Sequence, residues 1–233
     1  MASRPVFVPS VNGGLVIEHA VEFQWFPGFA VAQKQRSVAS LHRSATEQLG
    51  LDKVLEVSTK SMDPFGTRLS AFNLSVRIDA EPSPVLLEAA YQGSKVFESQ
   101  DPLTHLYRWN DGREVKRFMR AYSKDRLVRF EFCGYSWPLE PRTAFYDWLY
   151  LNSLRELTDQ DDDVNRVLHH FDAFTDIEFN PDKSFNCQAR SCALYVALEK
   201  SGDLALALTN PDTFIELLTT HGYGVEPSQN RLL

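Results

Sequence analysis

The sequence lacks the long apolar runs that mark membrane spans and secretory signals. Its first twenty residues mix Arg4, Pro5, Asn12 and Glu18 with short apolar stretches. No stretch approaches the roughly 18 to 20 apolar residues that are needed to cross a bilayer. We therefore expect a cytoplasmic protein without membrane contact.

Cysteine is scarce, and the spacings typical of metal sites are absent. The three cysteines form no CxxC pair, and no two histidines have HxxxH spacing. The absence of these spacings, together with the odd number of cysteines, argues against a disulfide framework and a zinc site. The acidic run 161–163 fits the positive end of a helix better than a magnesium site. GxGxxG and P-loop motifs are also missing, and we expect neither a metal ion nor a cofactor.

The net charge of -7 opposes nonspecific, high-occupancy binding to nucleic acid. Residues 108–129 are an exception, because basic residues outnumber acidic ones there. This basic island is either a solvated helix face or a contact surface for a pyrophosphate or a nucleic acid. Transient nucleic-acid contact is therefore part of the prediction. Its basic residues are Arg108, Arg113, Lys116, Arg117, Arg120, Lys124, Arg126 and Arg129.

The chain shows no internal repeat and no Gly/Ser/Pro-rich linker, which favours one domain over residues 1–225 with a flexible tail at 226–233. The order of elements predicts a helix-rich α+β fold with a small β-sheet. Strands are expected up to Trp25 and at Val54–Ser58, Leu69–Ile78, Leu127–Phe132 and Tyr135–Leu139. Helices are expected at Phe29–Leu49, Pro84–Phe97, Arg113–Ser123, Pro141–Leu154, Asn186–Glu199 and Pro211–His221.

The helix expected at Pro84–Phe97 carries the most informative spacing. Ser83 followed by Pro84 has the pattern of an N-cap and a first-turn proline. Glu88, Gln92 and Lys95 then stand at i, i+4 and i+7, which would place them on one helix face, with Tyr91 at its edge. The alternative is a solvated helix face with mild charge support between Glu88 and Lys95.

These residues, with the segment Leu69-Ser70-Ala71-Phe72-Asn73, resemble the NADAR family, whose signature is an LSNF-like segment followed by E-x-x-[FY]-Q-x-x-K on a helix. A looser match covers 172–179 and 184–189. It leaves Asp172 or Asp176 at the family's acidic position, and we favour Asp176. Trp109 or Trp137 matches the family's tryptophan, and we favour Trp109. The resemblance implies a NADAR-like fold in a branch similar to the antitoxins that accompany DNA-modifying ADP-ribosyltransferase toxins.

The resemblance further implies an ADP-ribosyl glycohydrolase that removes ADP-ribose from guanine, in DNA or in a nucleotide, and that is paired functionally with such a toxin. We expect three catalytic residues. Lys95 would form a Schiff base with the sugar, Glu88 would shuttle the proton, and Asp176 would either protonate the departing base or activate water.

The remaining candidates have binding roles. Phe72 or Trp109 would stack on a base, Arg113 or Arg117 would hold the pyrophosphate, and Asn73, Gln92 and Asn186 would bind ribose hydroxyls. Each also has a simpler interpretation, such as a core position for Phe72 and a plain N-cap for Asn186. The full set of predicted binding residues is Ser70, Phe72, Asn73, Gln92, Lys60, Trp109, Arg113, Glu178 and Asn186.

Two other functions stay open at this point. One is an N-glycosidase of small metabolites such as riboflavin-pathway intermediates, which the wider family also suggests. The other is a non-catalytic protein that binds ADP-ribose or nucleotides, in which the Glu88, Gln92 and Lys95 row only recognises its ligand. The basic island favours the larger substrate, and so do the segments Val21–Leu55 and Leu127–Trp148, which have no evident counterpart in the shortest family members.

Overall fold

The computed structural model describes residues 1–223, so the predicted flexible tail and the last residues of the predicted domain lie outside it. The helices are α1 (Val31–Leu49), α2 (Pro64–Arg68), α3 (Leu87–Gly93), α4 (Gly112–Phe118), α5 (Ala144–Gln160), α6 (Asp162–His170), α7 (Gln188–Ser201), α8 (Leu204–Ala207) and α9 (Pro211–Thr220), with 3-10 turns at Thr104–Arg108 and Met119–Tyr122. The strands are β1 (Ala2–Pro9), β2 (Val16–Phe23), β3 (Val54–Glu56), β4 (Ser75–Val76), β5 (Val85–Leu86), β6 (Lys95–Phe97), β7 (Leu127–Phe132), β8 (Tyr135–Trp137) and β9 (Ala173–Thr175). This composition confirms the helix-rich α+β fold.

The largest sheet has the strand order β2-β1-β9-β3. β1 and β2 form an antiparallel hairpin, β9 lies antiparallel to β1, and β3 lies parallel to β9. Helix α1 covers one side of this sheet and forms a small core with it through Val38, Leu41 and Ala45. Because β3 and β9 are parallel, their carboxyl ends meet at one edge of the sheet. This edge holds the site described below.

The main core surrounds α7, which is buried along most of its length between α5 and the large sheet. A second sheet, β6-β7-β8, and the short pair β4-β5 complete the fold. Tyr150 on α5 donates a hydrogen bond to the Leu69 carbonyl over 2.7 Å. This bond fastens the segment that follows α2 to the core.

Several sequence predictions are confirmed. Helix α1 ends at Gly50, which adopts the left-handed conformation with φ 70° and donates its N–H to Thr46. The β7-β8 hairpin turns at Cys133 and Gly134 as expected. Asp161 caps α6 by accepting from the Asp163 backbone N–H over 3.0 Å. Within residues 1–223, no helix combines the length and the apolar character that crossing a bilayer requires.

The strand predicted at Leu69–Ile78 is mostly wrong, since only Ser75 and Val76 are in β4. Asp63 caps the short helix α2 by accepting from Phe65, and the chain then turns. Ser70 accepts backbone hydrogen bonds from Asn73 and Leu74. Local capping and turn hydrogen bonds therefore outweigh the apolar pattern of this segment.

The helix predicted at Pro84–Phe97 is too long at both ends. Val85 and Leu86 pair with β4, so Ser83 does not cap a helix, and α3 begins at Leu87. At the other end, Lys95 pairs with Phe130 on β7, so it lies on strand β6 and not on the helix. Tertiary strand pairing overrides the local helical pattern in both places.

Candidate active site

A cavity of about 630 Å³ lies where the carboxyl ends of β3 and β9 meet the turn after α2 and the start of α4. Ligands commonly bind outside the carboxyl ends of parallel strands, because loops leave the sheet there. Polar side chains form much of the wall. Its residues are Ser58, Thr59, Lys60, Ser70, Phe72, Asn73, Asn110, Asp111, Gly112, Arg113, Lys116, Glu178 and Gln188.

Gln188, on the first turn of α7, ties two walls of the cavity together. Its Oε1 accepts from the Ala71 backbone N–H over 2.8 Å and from the Ser70 hydroxyl over 3.3 Å. A hydrogen bond from the Gln188 side chain also favours the ionised form of the buried Asp176 carboxyl group. Gln188 therefore fixes the segment 69–73 against the segment that carries Asp176.

Asp176 is buried directly after β9, whereas Asp172 is exposed before that strand. Burial raises the pKa of Asp176 to about 6, although hydrogen bonds that include the Glu178 backbone N–H, over 2.9 Å, oppose the rise. The carboxyl group can therefore gain or lose a proton close to neutral pH. Of the two candidates for the acidic position, Asp176 is the one whose neighbours line the cavity.

Glu88 is buried on α3 and receives two polar contacts. Gln92 donates from Nε2 to Glu88 Oε1 over 2.9 Å, and the Lys116 ammonium lies 3.4 Å from Oε2. The second amide atom of Gln92, Oε1, is buried without a protein hydrogen-bond partner among the described residues. Glu88 is thus held between an amide on its own helix and a cation on α4.

The close approach of α4 to Phe72 and to Glu88 on α3 depends on Gly112. A Cβ atom at this position would lie 2.9 Å from Phe72 Cδ1 and 3.3 Å from Glu88 Cβ. With only hydrogen there, α4 packs against both residues, and Lys116, one turn later, lies over the Phe72 ring at 4.5 Å from its centroid. Lys116 therefore connects the cavity wall to Glu88.

Lys95 is largely buried, with its amine 5.0 Å from the centroid of the Tyr91 ring. Burial lowers the pKa of Lys95 to about 8, and the nearby Lys116 charge lowers it further, while Glu88 acts in the opposite direction. The predicted helix face is wrong, and Lys95 is not among the residues that line the cavity, although its side chain is largely buried. A turn of backbone after α3 brings it back toward Tyr91 and Glu88.

Asn186 holds the tyrosine beside this amine. Its Nδ2 donates to the Tyr91 hydroxyl over 2.7 Å, and the Tyr91 ring packs against Phe130 and Phe145. The predicted N-cap alternative for Asn186 is wrong, because α7 begins at Gln188 and its N-cap position is Cys187. Asn186 instead holds in place the Tyr91 ring, which lies beside the Lys95 amine.

The structure brings many of the predicted site residues together. Six of them line the cavity, namely Lys60, Ser70, Phe72, Asn73, Arg113 and Glu178. Glu88 and Asp176 lie behind the wall, in contact with wall residues, and Gln92 and Asn186 contact Glu88 and Tyr91. Trp109 packs on Phe118, with ring centroids 5.3 Å apart. Trp137 is a core residue between Phe145 and Trp148.

Sequence reasoning missed Gln188, Ser58 and Glu56, and it placed Lys116 only in the basic island. The spacing from Arg113 to Lys116, i to i+3, is a signal for two cations on one side of a helix. Glu56, at the end of a buried strand, is a second signal, since charged side chains are seldom buried without a reason. Within residues 1–223, no three His, Cys, Asp or Glu residues are grouped to hold a metal ion.

The sequence profile of the DarT1-associated NADAR antitoxins matches residues 2–226. The chain belongs to this family. The match confirms the resemblance drawn from the two motifs, and it extends it to nearly the whole chain, including the N-terminal hairpin and α1. It also fits the antitoxin role, and the NADAR family is generally associated with N-glycosidase or hydrolase activity. No match was found among curated proteins.

The side chains described above are of the kinds that hydrolysis of an N-glycosidic bond uses. A largely buried amine with a lowered pKa is a nucleophile near neutral pH. Two buried carboxyl groups, Glu88 and Asp176, are available for proton transfer. Cations at the wall, among them Lys60 and Arg113, suit an anionic ligand.

Proposed function

We propose that this protein is an ADP-ribosyl glycohydrolase that removes ADP-ribose from guanine, acting as the antitoxin to a DarT toxin. The single observation that carries the proposal is the environment of Lys95, whose amine is largely buried and lies beside Tyr91 and near Glu88. With a pKa of about 8, such an amine is neutral in roughly one molecule in ten at pH 7, against roughly one in several thousand for an ordinary lysine.

The reaction begins when the neutral Lys95 amine attacks the ribose carbon that is bonded to guanine. The bond from carbon to the guanine nitrogen breaks, and that nitrogen leaves with the electron pair and takes a proton from a carboxylic acid. The attacking nitrogen loses a proton, the ribose ring opens as its oxygen is protonated, and a Schiff base remains on Lys95. Water then adds to the imine carbon, and collapse of the adduct releases ADP-ribose and the amine.

Glu88 and Asp176 divide the proton transfers in this scheme. Glu88 takes up the proton that Lys95 releases and passes it to the ribose ring oxygen as the ring opens, because Lys95 and Glu88 share one electrostatic environment with Lys116. Asp176, with a pKa of about 6, exists in both forms near neutral pH. It protonates the departing guanine as the acid or activates water as the base.

Substrate binding follows from the charges at the cavity wall. Arg113 and Lys60 are cations that suit the pyrophosphate, and Asn73 and Ser70 offer hydrogen bonds to ribose hydroxyls. Phe72 already carries the Lys116 ammonium on one face. A base that stacks there would use the other face of the ring, and the second candidate for stacking is Trp109, whose neighbour Asn110 lines the cavity.

A chromatographic assay of an ADP-ribosylated guanine oligonucleotide tests the activity. We expect the wild type to release ADP-ribose, and Lys95→Ala and Glu88→Gln to lower kcat by at least about 10²-fold. Lys200→Ala, at the exposed end of α7, is the matched lysine control and should turn over normally. A wild type that leaves the substrate unchanged while binding it would make the protein a binder.

Borohydride trapping tests the covalent route separately. Reduction during turnover should attach the sugar to Lys95, as read by mass spectrometry of the digested protein. Full turnover by Lys95→Ala would refute the lysine nucleophile. Cleavage of free riboflavin-pathway intermediates in preference to the oligonucleotide would favour a small-metabolite N-glycosidase instead.

A further inference from the structure

Glu56 is a buried carboxyl group between two segments that form one side of the cavity. It is the last residue of β3, its side chain is only 2% exposed, and the reaction scheme does not use it. No cation forms an ion pair with it in the described part of the chain. Burying an ionised carboxylate without a cation costs free energy, so Glu56 is either neutral or stabilised by hydrogen bonds.

Three donors or acceptors surround the two oxygens of Glu56. Its Oε1 accepts from the Ser58 hydroxyl over 2.6 Å and from the Ile177 backbone N–H over 2.9 Å. Its Oε2 lies 2.8 Å from the Thr175 hydroxyl. Ser58 lines the cavity, and Ile177 directly follows Asp176. One side chain thus joins the segment after β3 to the segment after β9.

The contacts continue from Glu56 in both directions. The Ser58 hydroxyl also accepts from the Lys60 backbone N–H over 3.1 Å, so the chain reaches the loop that carries a cavity lysine. On the other side, the Thr175 hydroxyl lies 2.9 Å from His42 Nε2 on α1. His42 is largely buried. This row of hydrogen bonds therefore runs from the cavity wall to α1.

A neutral Glu56 keeps both hydrogen bonds to Oε1 when its acid proton is on Oε2, from which it is donated to Thr175. The Thr175 hydroxyl then donates its own hydrogen to His42 Nε2, so the ring carries its proton on Nδ1. If Glu56 were ionised, Thr175 would donate to Glu56, and His42 would have to donate from Nε2. The charge of Glu56 and the tautomer of His42 are therefore linked.

The electrostatics favour the neutral form. Burial, and then the charge of Asp176, raise the pKa of Glu56 to about 8, although the hydrogen bonds that the ionised group accepts from Ser58, Ile177 and Thr175 oppose this. Burial lowers the pKa of His42 to about 4, so the ring is neutral and can accept. The titratable groups that face Glu56 are Asp176 from β9 and His42 from α1. The nearby Lys60 amine is bonded to the Thr59 hydroxyl.

We propose that Glu56 is a positioning residue of the cavity, which as a neutral acid fastens Ser58 and the Asp176 segment together and through Thr175 sets the tautomer of His42. The role in catalysis rests on the proposed function, since Glu56 would act only by holding Asp176 and the Lys60 loop. The hydrogen-bond arrangement itself does not depend on that function.

Nitrogen-15 NMR of the His42 ring tests the arrangement without any assay of activity. We expect the Nδ1–H tautomer in the wild type at pH 6, and a change to Nε2–H where Glu56 ionises as the pH rises to 9.5. Glu56→Gln should keep Nδ1–H throughout, because its amide N–H donates to Thr175 permanently. A wild-type ring that keeps Nδ1–H over the whole range would show that Glu56 does not set the tautomer. An Nε2–H ring at pH 6, or a Glu56→Gln ring that changes with pH, would also overturn the proposal.

Kinetics test the positioning role. Glu56→Ala should lower kcat by at least about ten-fold with little change in KM, and Glu56→Gln should restore kcat to within about three-fold of the wild type. Equal losses in both variants would show that a carboxylate is needed and would overturn the proposal. Should Glu56→Ala fail to fold, Thr175→Val replaces it as the variant that breaks the row. If the wild type itself releases no ADP-ribose, the proposed function fails, and the NMR result still decides the state of Glu56.

Discussion

At the scale of single residues, the motif contains Lys95 and Glu88, which influence each other electrostatically, although it assigned Lys95 to the wrong element. Glu88 stays on α3 while Lys95 lies on β6, and the amine approaches Tyr91 and Glu88 through a turn of the chain. The third charge in this group, Lys116, lies more than twenty residues further along the chain. A single sequence does not contain that long-range contact, so the electrostatic setting of Lys95 became visible only in three dimensions.

We predict that Lys116→Gln raises the pKa of Lys95 and so lowers activity at neutral pH. The substitution removes a like charge near Lys95 and leaves Glu88 free to stabilise the Lys95 ammonium. We expect the rise of kcat with pH, near pH 8 in the wild type, to move to higher pH, with roughly three- to ten-fold lower kcat at pH 7. Arg120→Gln, which removes an exposed charge from the same basic island, is the control. An unchanged pH profile in Lys116→Gln would contradict the prediction.

At the scale of elements, amphipathic helices and the hairpin could be predicted, whereas the short pieces around the site could not. Helix α1 and the β7-β8 hairpin carry their own stop and turn signals at Gly50 and Gly134. By contrast, β4, β5 and β6 have two or three residues each and exist because a partner strand is present. Elements of this length have no periodicity of their own, so the helical pattern at Pro84–Phe97 was misleading.

Gly112→Ala should separate α4 from α3 and weaken the site. The new methyl group would meet Phe72 Cδ1 at 2.9 Å and Glu88 Cβ at 3.3 Å, both in a packed region. We expect a loss of about 1–3 kcal/mol in the free energy of unfolding, together with a kcat reduced beyond what stability explains, because Lys116 would move away from Glu88. Chemical denaturation and kinetics at a temperature where the variant is fully folded separate the two effects.

The control for this variant is Glu114→Ala, an exposed position on the same helix. Alanine has a higher helix propensity than glutamate, and at this exposed position it introduces no contact with α3. It should leave kcat close to that of the wild type. If Gly112→Ala kept both its stability and its activity, the close approach of α4 would have no part in building the site.

At the scale of the whole molecule, the charges are divided unevenly. The chain has a net charge of -7, yet the cavity wall carries the three cations Lys60, Arg113 and Lys116 against the two carboxylates Asp111 and Glu178. We predict that Arg113→Gln raises KM for an ADP-ribosylated oligonucleotide and has a smaller effect on kcat, since it removes binding and not chemistry. Raising the salt concentration should increase the wild-type KM more than that of the variant. An equal dependence on salt in both would remove Arg113 from the binding surface.

The buried ionisable groups also predict how stability depends on pH. The folded-state pKa of Glu56 is about 8 against 4.5 in an unfolded chain, so between these values the folded state binds more protons than the unfolded state. Stability that depends on this group therefore falls as the pH rises through that window. His42, with a folded pKa of about 4 against 6.5, acts oppositely below pH 6.5, because its neutral folded form makes stability rise with pH there. The effects of Glu56 and His42 oppose each other in acid, and the lowered pKa of Lys95, about 8 against 10.5, makes stability rise with pH mainly above pH 8. The range from pH 6.5 to 8 is therefore the one in which Glu56 dominates.

We therefore expect the wild-type Tm to fall from pH 6.5 to pH 8, by about 2–4 °C for each kcal/mol of stability that is lost. Asp176, with a folded pKa of about 6, contributes in the same direction but mainly below this range. Glu56→Gln cannot ionise and should flatten the decline, so that the variant gains on the wild type most at pH 8. Glu47→Gln, on the exposed face of α1, should follow the wild-type curve. A decline that persists unchanged in Glu56→Gln would mean that another buried group releases its proton over this range, and that Glu56 is already ionised at pH 6.5.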